Sequence, residues 1–86
     1  MFTNKTPDGR NNLCGKQIAK RRTEQNKSQK QIADMLQLAG LDIDKNAIQR
    51  IEAGKRFVTD IELKVIASVF DISMEELVKT EDDSSE

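Results

Sequence analysis

Eighty-six residues with 36% hydrophobic content, three Phe and no Trp or Tyr can build one domain around an aliphatic core of marginal size. A single Cys and no His exclude a zinc site and a disulfide framework. No run of about 18 apolar residues is present to span a membrane, and no metal or cofactor is expected. The net charge of −1 hides a division: residues 10–56 hold eleven Lys/Arg against five Asp/Glu, and residues 57–86 hold two against nine, so one half suits a polyanion and the other does not.

The opening Met1-Phe2-Thr3-Asn4-Lys5 lacks the apolar segment of a signal peptide, so the expectation is a cytoplasmic chain. Residues 1–12, with Pro7, Gly9 and paired Asn but no apolar periodicity, read as a flexible N-terminal arm. Helical spacing begins at Leu13 and runs to about Gln25, with a thin inner face on which Cys14 serves as a small buried hydrophobe. Ser28 with Gln31 forms a capping box for a second helix, in which each side chain satisfies a backbone N–H left orphaned at the helix start. Ile32, Ala33, Met35, Leu36 and Ala39 continue it, and Gly40 ends it. Asp44 caps a third helix from Lys45 to Ala53, closed by Gly54. Thr59 with Glu62 and Ser73 with Glu76 are two further capping boxes, opening helices that end near Phe70 and about Lys79. The acidic residues 80–86 read as a disordered tail. The predicted architecture is all-α: five helices over residues 13–79.

The third predicted helix carries the chemistry. At 100° per residue, Ala47, Ile48 and Ile51 form one inward stripe, and the opposite face receives Lys45, Asn46, Gln49, Arg50 and the small Ala53. Four of these five side chains hydrogen-bond, and none is acidic. Arg and Lys pair with guanine O6 and N7, and Asn and Gln with adenine N6 and N7, all in the major groove of double-stranded DNA.

Gly15-Lys16-Gln17-Ile18, Arg22, Ser28-Gln29, Ile32-Ala33, Ile48-Gln-Arg-Ile51-Glu52-Ala-Gly54-Lys55-Arg56 and Asp71-Ile72-Ser73-Met-Glu-Glu-Leu77 occur in that order. This pattern resembles the Cro and phage-repressor type of helix-turn-helix regulator, also called the xenobiotic-response-element family. The resemblance implies a compact five-helix domain, operator binding and transcriptional regulation, usually repression. It implies that Gln29 contacts phosphate and supports base readout, and that Lys45, Asn46 and Arg50 read bases with Gln49 beside them. It further implies that Lys55 and Arg56 contact the DNA backbone, and that Arg22 and Glu52 form an ion pair tying the first helix to the end of the third.

The chain departs from that pattern twice. A helix-turn-helix usually has a turn of about three residues, whereas Gln37 to Ile43 makes an extended turn about five residues longer, with Leu41 and Ile43 expected to anchor it and the second helix expected to reach Ala39. Arg21 stands where the family often has an apolar residue, so its stem is expected to cover the core while its charge reaches water.

The fourth predicted helix bears two apolar stripes. Leu63, Ile66, Ala67 and Phe70 form a core stripe, and Ile61, Val65 and Val69 form a second. Either Leu77 and Val78, or Phe2, cover the second stripe, or it forms a homodimer interface that sets two base-reading helices about 34 Å apart. No enzyme is expected, because there is no His, no glycine-rich phosphate loop and no acid pair in a plausible pocket to assemble a site. A protein-interaction module, or an antitoxin that binds both DNA and a partner protein, stays open as the alternative, because fold does not fix function.

Overall fold

A computed structural model describes residues 5–79; Phe2 and the acidic residues 80–86 lie outside the described residues. Five helices follow in order: α1 (Gly15–Glu24), α2 (Gln29–Leu38), α3 (Lys45–Glu52), α4 (Asp60–Phe70) and α5 (Met74–Leu77). There is no strand among the described residues.

Local chemistry sets most of these boundaries. Ser28 and Thr59 each accept a hydrogen bond from the backbone N–H three residues on, and Gln31 and Glu62 reach back to complete both capping boxes. Ser73 accepts from the Glu76 N–H at 3.1 Å, but the Glu76 carboxylate faces Arg21 instead, at 3.4 Å. The third box is therefore half a box, and α5 stops at Leu77 rather than Lys79. The first four helices share one exit: a residue in the left-handed region, with its own N–H and the next one bonded back to the last-turn carbonyls. Asn26, Gly40, Gly54 and Asp71 occupy that position.

Among the described residues the core is aliphatic with one aromatic side chain, Phe70. Ile18 of α1, Ile32 and Leu36 of α2, Ile48 and Ile51 of α3, Ile66 and Phe70 of α4 and Leu77 of α5 all lie below 5% exposure. Truncating any of the large ones to Ala should cost about 2–5 kcal/mol through lost transfer energy and the cavity left behind. α3 packs between α1 and α2, while α4 lies against α2 and α5. Cys14 is part of this cluster, at 2% exposure.

The lengthened connection from α2 to α3 spans residues 39–44. α2 ends at Leu38 with Ala39 as its C-cap, one residue short of the expected end. Ile43 inserts into the core at 1% exposure, Leu41 packs against it half-buried, and the Gln37 amide donates to the Ile43 carbonyl at 3.2 Å. The extra residues thus loop outward while both ends stay fixed.

The N-terminal segment departs from expectation. Residues 10–12 are not part of a free arm but lie against the exit of α3, held by hydrogen bonds to residues 51–56. α1 accordingly begins at Gly15 rather than Leu13, and Leu13 is 45% exposed. Gly15 is small for a reason of packing: a Cβ there would collide with the Ile51 carbonyl, so the start of α1 and the end of α3 meet backbone to backbone.

Candidate nucleic-acid interface

The surface of α3 is built from its cap outward. The Asp44 carboxylate accepts from the Ala47 N–H at 2.8 Å and fixes the first turn, and on the inner stripe Ile48 and Ile51 are completely buried while Ala47 is half-buried. Lys45, Asn46, Gln49 and Arg50 are all exposed. Among the described residues none of their side chains makes a hydrogen bond or ion pair, so their donors and acceptors are available to a ligand. Arg50 in the last turn also sits favourably against the negative end of the helix dipole.

Behind this face lies a polar tie. Arg22 of α1 donates through Nε and Nη2 to the two carboxylate oxygens of Glu52, at 2.8 and 3.0 Å. Its Nη1 donates to the Lys27 carbonyl at 2.9 Å. The Gln29 amide adds a third hydrogen bond to Glu52, at 3.0 Å. The Arg22 and Glu52 side chains are 19% and 10% exposed, so the pair is largely desolvated and bidentate. Its carboxylate holds the Arg22 guanidinium above its ordinary pKa. Three helices are joined at one carboxylate.

The flanking cations differ in availability. Lys55 is exposed, whereas Arg56 is turned inward onto Glu62, with Nη1 and Nη2 donating to its two oxygens at 3.1 and 2.9 Å. A phosphate would have to compete with that carboxylate for Arg56, and with Glu52 for the Gln29 amide. Arg21 is half-buried, with its guanidinium at Glu76. Of the second stripe on α4, Ile61 is 71% exposed, while Val65 and Val69 are half-buried against the core. The sequence reading missed Arg10, Asn11 and Asn12, whose partners lie some forty residues away, and no local spacing signals them.

A capped helix pair with a short exposed second helix, basic and amide-rich on its outer face and acid-free there, defines a helix-turn-helix DNA-binding protein. The chain belongs to the helix-turn-helix family of the Cro and phage-repressor type: residues 18–77 match the family model. It is a DNA-binding transcription regulator. The fold is similar to the crystal structure of the restriction-modification controller protein C.AhdI from Aeromonas hydrophila, with a TM-score of 0.62, 28% identity, and coverage of 73% of this chain and 84% of that one. No curated protein sequence matches. No helix among the described residues is long and apolar enough to cross a membrane.

Proposed function

We propose that this chain is a non-enzymatic, sequence-specific repressor that works in the cytoplasm, binding an operator with α3 in the major groove. The observation that carries the reading is the outer face of α3, where Lys45, Asn46, Gln49 and Arg50 are exposed and uncommitted among the described residues. Lys45, Asn46 and Arg50 read base edges with Gln49 beside them, and Lys55 meets the phosphate backbone. Gln29 and Arg56 join the backbone contacts by exchanging their present carboxylate partners for phosphate. The likeness to a restriction-modification controller protein supports a regulatory role. Two copies pair through the α4 stripe of Ile61, Val65 and Val69 together with α5, because one eight-residue helix reads too few base pairs to select an operator.

The test is selection of bound sequences from a random duplex library with the full chain. The expected result is a two-fold symmetric consensus with half-sites about 10 bp apart. Arg50→Ala should then relax preference at one base pair, costing about 1–3 kcal/mol on that site. Failure to enrich any sequence would refute base readout and favour a protein-interaction module or an antitoxin that depends on its partner.

A further inference from the structure

The last carbonyls of an α-helix have no intrahelical partners. At the exit of α3, the Gly54 turn answers two of them: Lys55 N–H donates to Arg50 at 2.9 Å, and Gly54 N–H to Ile51 at 3.0 Å. The rest of the exit is answered by three consecutive residues that precede the segment matching the family. Arg10 Nη2 donates to the Glu52 carbonyl at 2.7 Å and to Ile51 at 3.4 Å. The Asn11 backbone N–H donates to Gly54 at 2.7 Å, and its side chain to the Lys55 carbonyl at 3.0 Å. The Asn12 amide donates to Ile51 at 3.1 Å and to Arg56 at 2.7 Å, while its oxygen accepts from Gly15 N–H at 2.9 Å. Every carbonyl from Glu52 to Arg56 except that of Ala53 is thus held from residues 10–12. Arg10 also places a full positive charge at the negative end of the helix dipole. Gly54 leaves room for it, since a Cβ there would stand 2.8 Å from Arg10 Cζ.

We propose that Arg10, Asn11 and Asn12 are positioning residues for DNA binding: a strap that fixes the exit of the recognition helix, so that Lys55 is presented to the phosphate backbone in one register. This rests on the reading of Lys55 as a phosphate contact. The mechanism is conformational. Lys55 carries its ammonium on a flexible four-carbon stem, and only the backbone at its root can aim it. With the strap removed, the Glu52, Gly54, Lys55 and Arg56 carbonyls turn to water and that root is no longer held.

The probe is the duplex selected by the parent chain, titrated over a range of salt concentrations with full-length Arg10→Ala, Asn11→Ala, Lys55→Ala and the pairwise combinations. Circular dichroism shows that each variant is folded at the assay temperature. One phosphate contact contributes a salt slope of about −0.9, which amounts to roughly fivefold in affinity near 0.15 M salt. Arg10→Ala and Asn11→Ala are each expected to approach that loss and to make the slope shallower, with Arg10→Lys recovering part of both. Adding Lys55→Ala to either should then cost less than about twofold more, because the contact is already lost. A folded Arg10→Ala with parental affinity and slope overturns the proposal, and so does full additivity with Lys55→Ala. Should Arg10→Ala fail to fold, Asn11→Ala decides by the same criteria, its side chain hydrogen-bonding, among the described residues, only with the Lys55 carbonyl and Lys5. If Lys55→Ala alone changes neither affinity nor slope, the phosphate reading of Lys55 falls and the strap's role falls with it.

Discussion

Replacing Glu52 by Ala removes one side chain and strands three donors. Arg22 loses two charge-assisted hydrogen bonds at 2.8 and 3.0 Å and keeps only its bond to the Lys27 carbonyl; Gln29 loses a third at 3.0 Å. Breaking one partner of a fully buried pair costs about 3–5 kcal/mol, mostly because the surviving charge is left desolvated. Here the Arg22 side chain is 19% exposed and can recruit some water, so we expect less, about 2–3 kcal/mol. In a domain this small, that is a fall in melting temperature of about 10–20 °C. Because the pair is shielded, the loss should persist at about 1 M salt, where a surface pair would contribute nothing. Thermal melts followed by circular dichroism on the parent, Glu52→Ala, Arg22→Ala and the double variant give both the cost and the coupling, which we expect at about 1.5–3 kcal/mol. A Glu52→Ala melt within about 3 °C of the parent, or a coupling below about 0.5 kcal/mol, would refute the view that this carboxylate joins three helices.

Three further expectations concern other parts of the fold. The Arg56 guanidinium and, behind it, the Thr59 N–H hold the Glu62 carboxyl below its usual value of 4.5 against the opposing effect of burial. Its contribution is therefore complete above about pH 4.5 and lost as pH falls through the lower folded value; melts from pH 7 to 3 should lose this component in Glu62→Gln, and an unchanged profile would count against it. Burial pushes the Cys14 thiol up to about 11, so a thiol reagent at neutral pH should react only through global unfolding, whereas labelling of the native protein at the rate of a free thiol would show that the core opens locally. Ile61→Asp, at a 71% exposed position, should leave the chain folded but monomeric by sedimentation, with most operator affinity gone; a parent chain that is itself monomeric on DNA would remove the dimer.

What could be read from the sequence was what is settled within a turn or two of chain. The Ser28 and Thr59 boxes, the Asp44 cap and the Gly40 and Gly54 exits depend on neighbours three or four residues away, and the helices start and stop there to within about two residues. The outer face of α3 was legible for the same reason, since the buried Ile48 and Ile51 fix which way Asn46 and Arg50 point. Long-range competition was not legible. Glu76 has the spacing for a capping box but is drawn to Arg21 across fifty-five residues of chain. Arg56 reads as a free cation until α4 brings Glu62 beneath it. Asn11 and Asn12 read as part of a flexible arm because the carbonyls they satisfy belong to the exit of α3, which a local window does not contain.

The strap also carries a consequence for the order of folding. Its hydrogen bonds to α3 and the α3 exit span 39 to 44 residues, so each of these requires that exit to exist before there is anything to grip. The helices themselves are stabilised by neighbours close in sequence and can form early, while closing so long a loop is slow to be rewarded. We therefore expect residues 10–12 to join after the rate-limiting step, with their bonds acting chiefly on the way out, as a latch that slows unfolding. In stopped-flow kinetics, Asn12→Ala should raise the unfolding rate and leave the refolding rate near that of the parent; an equal effect on refolding would put the strap in the folding nucleus.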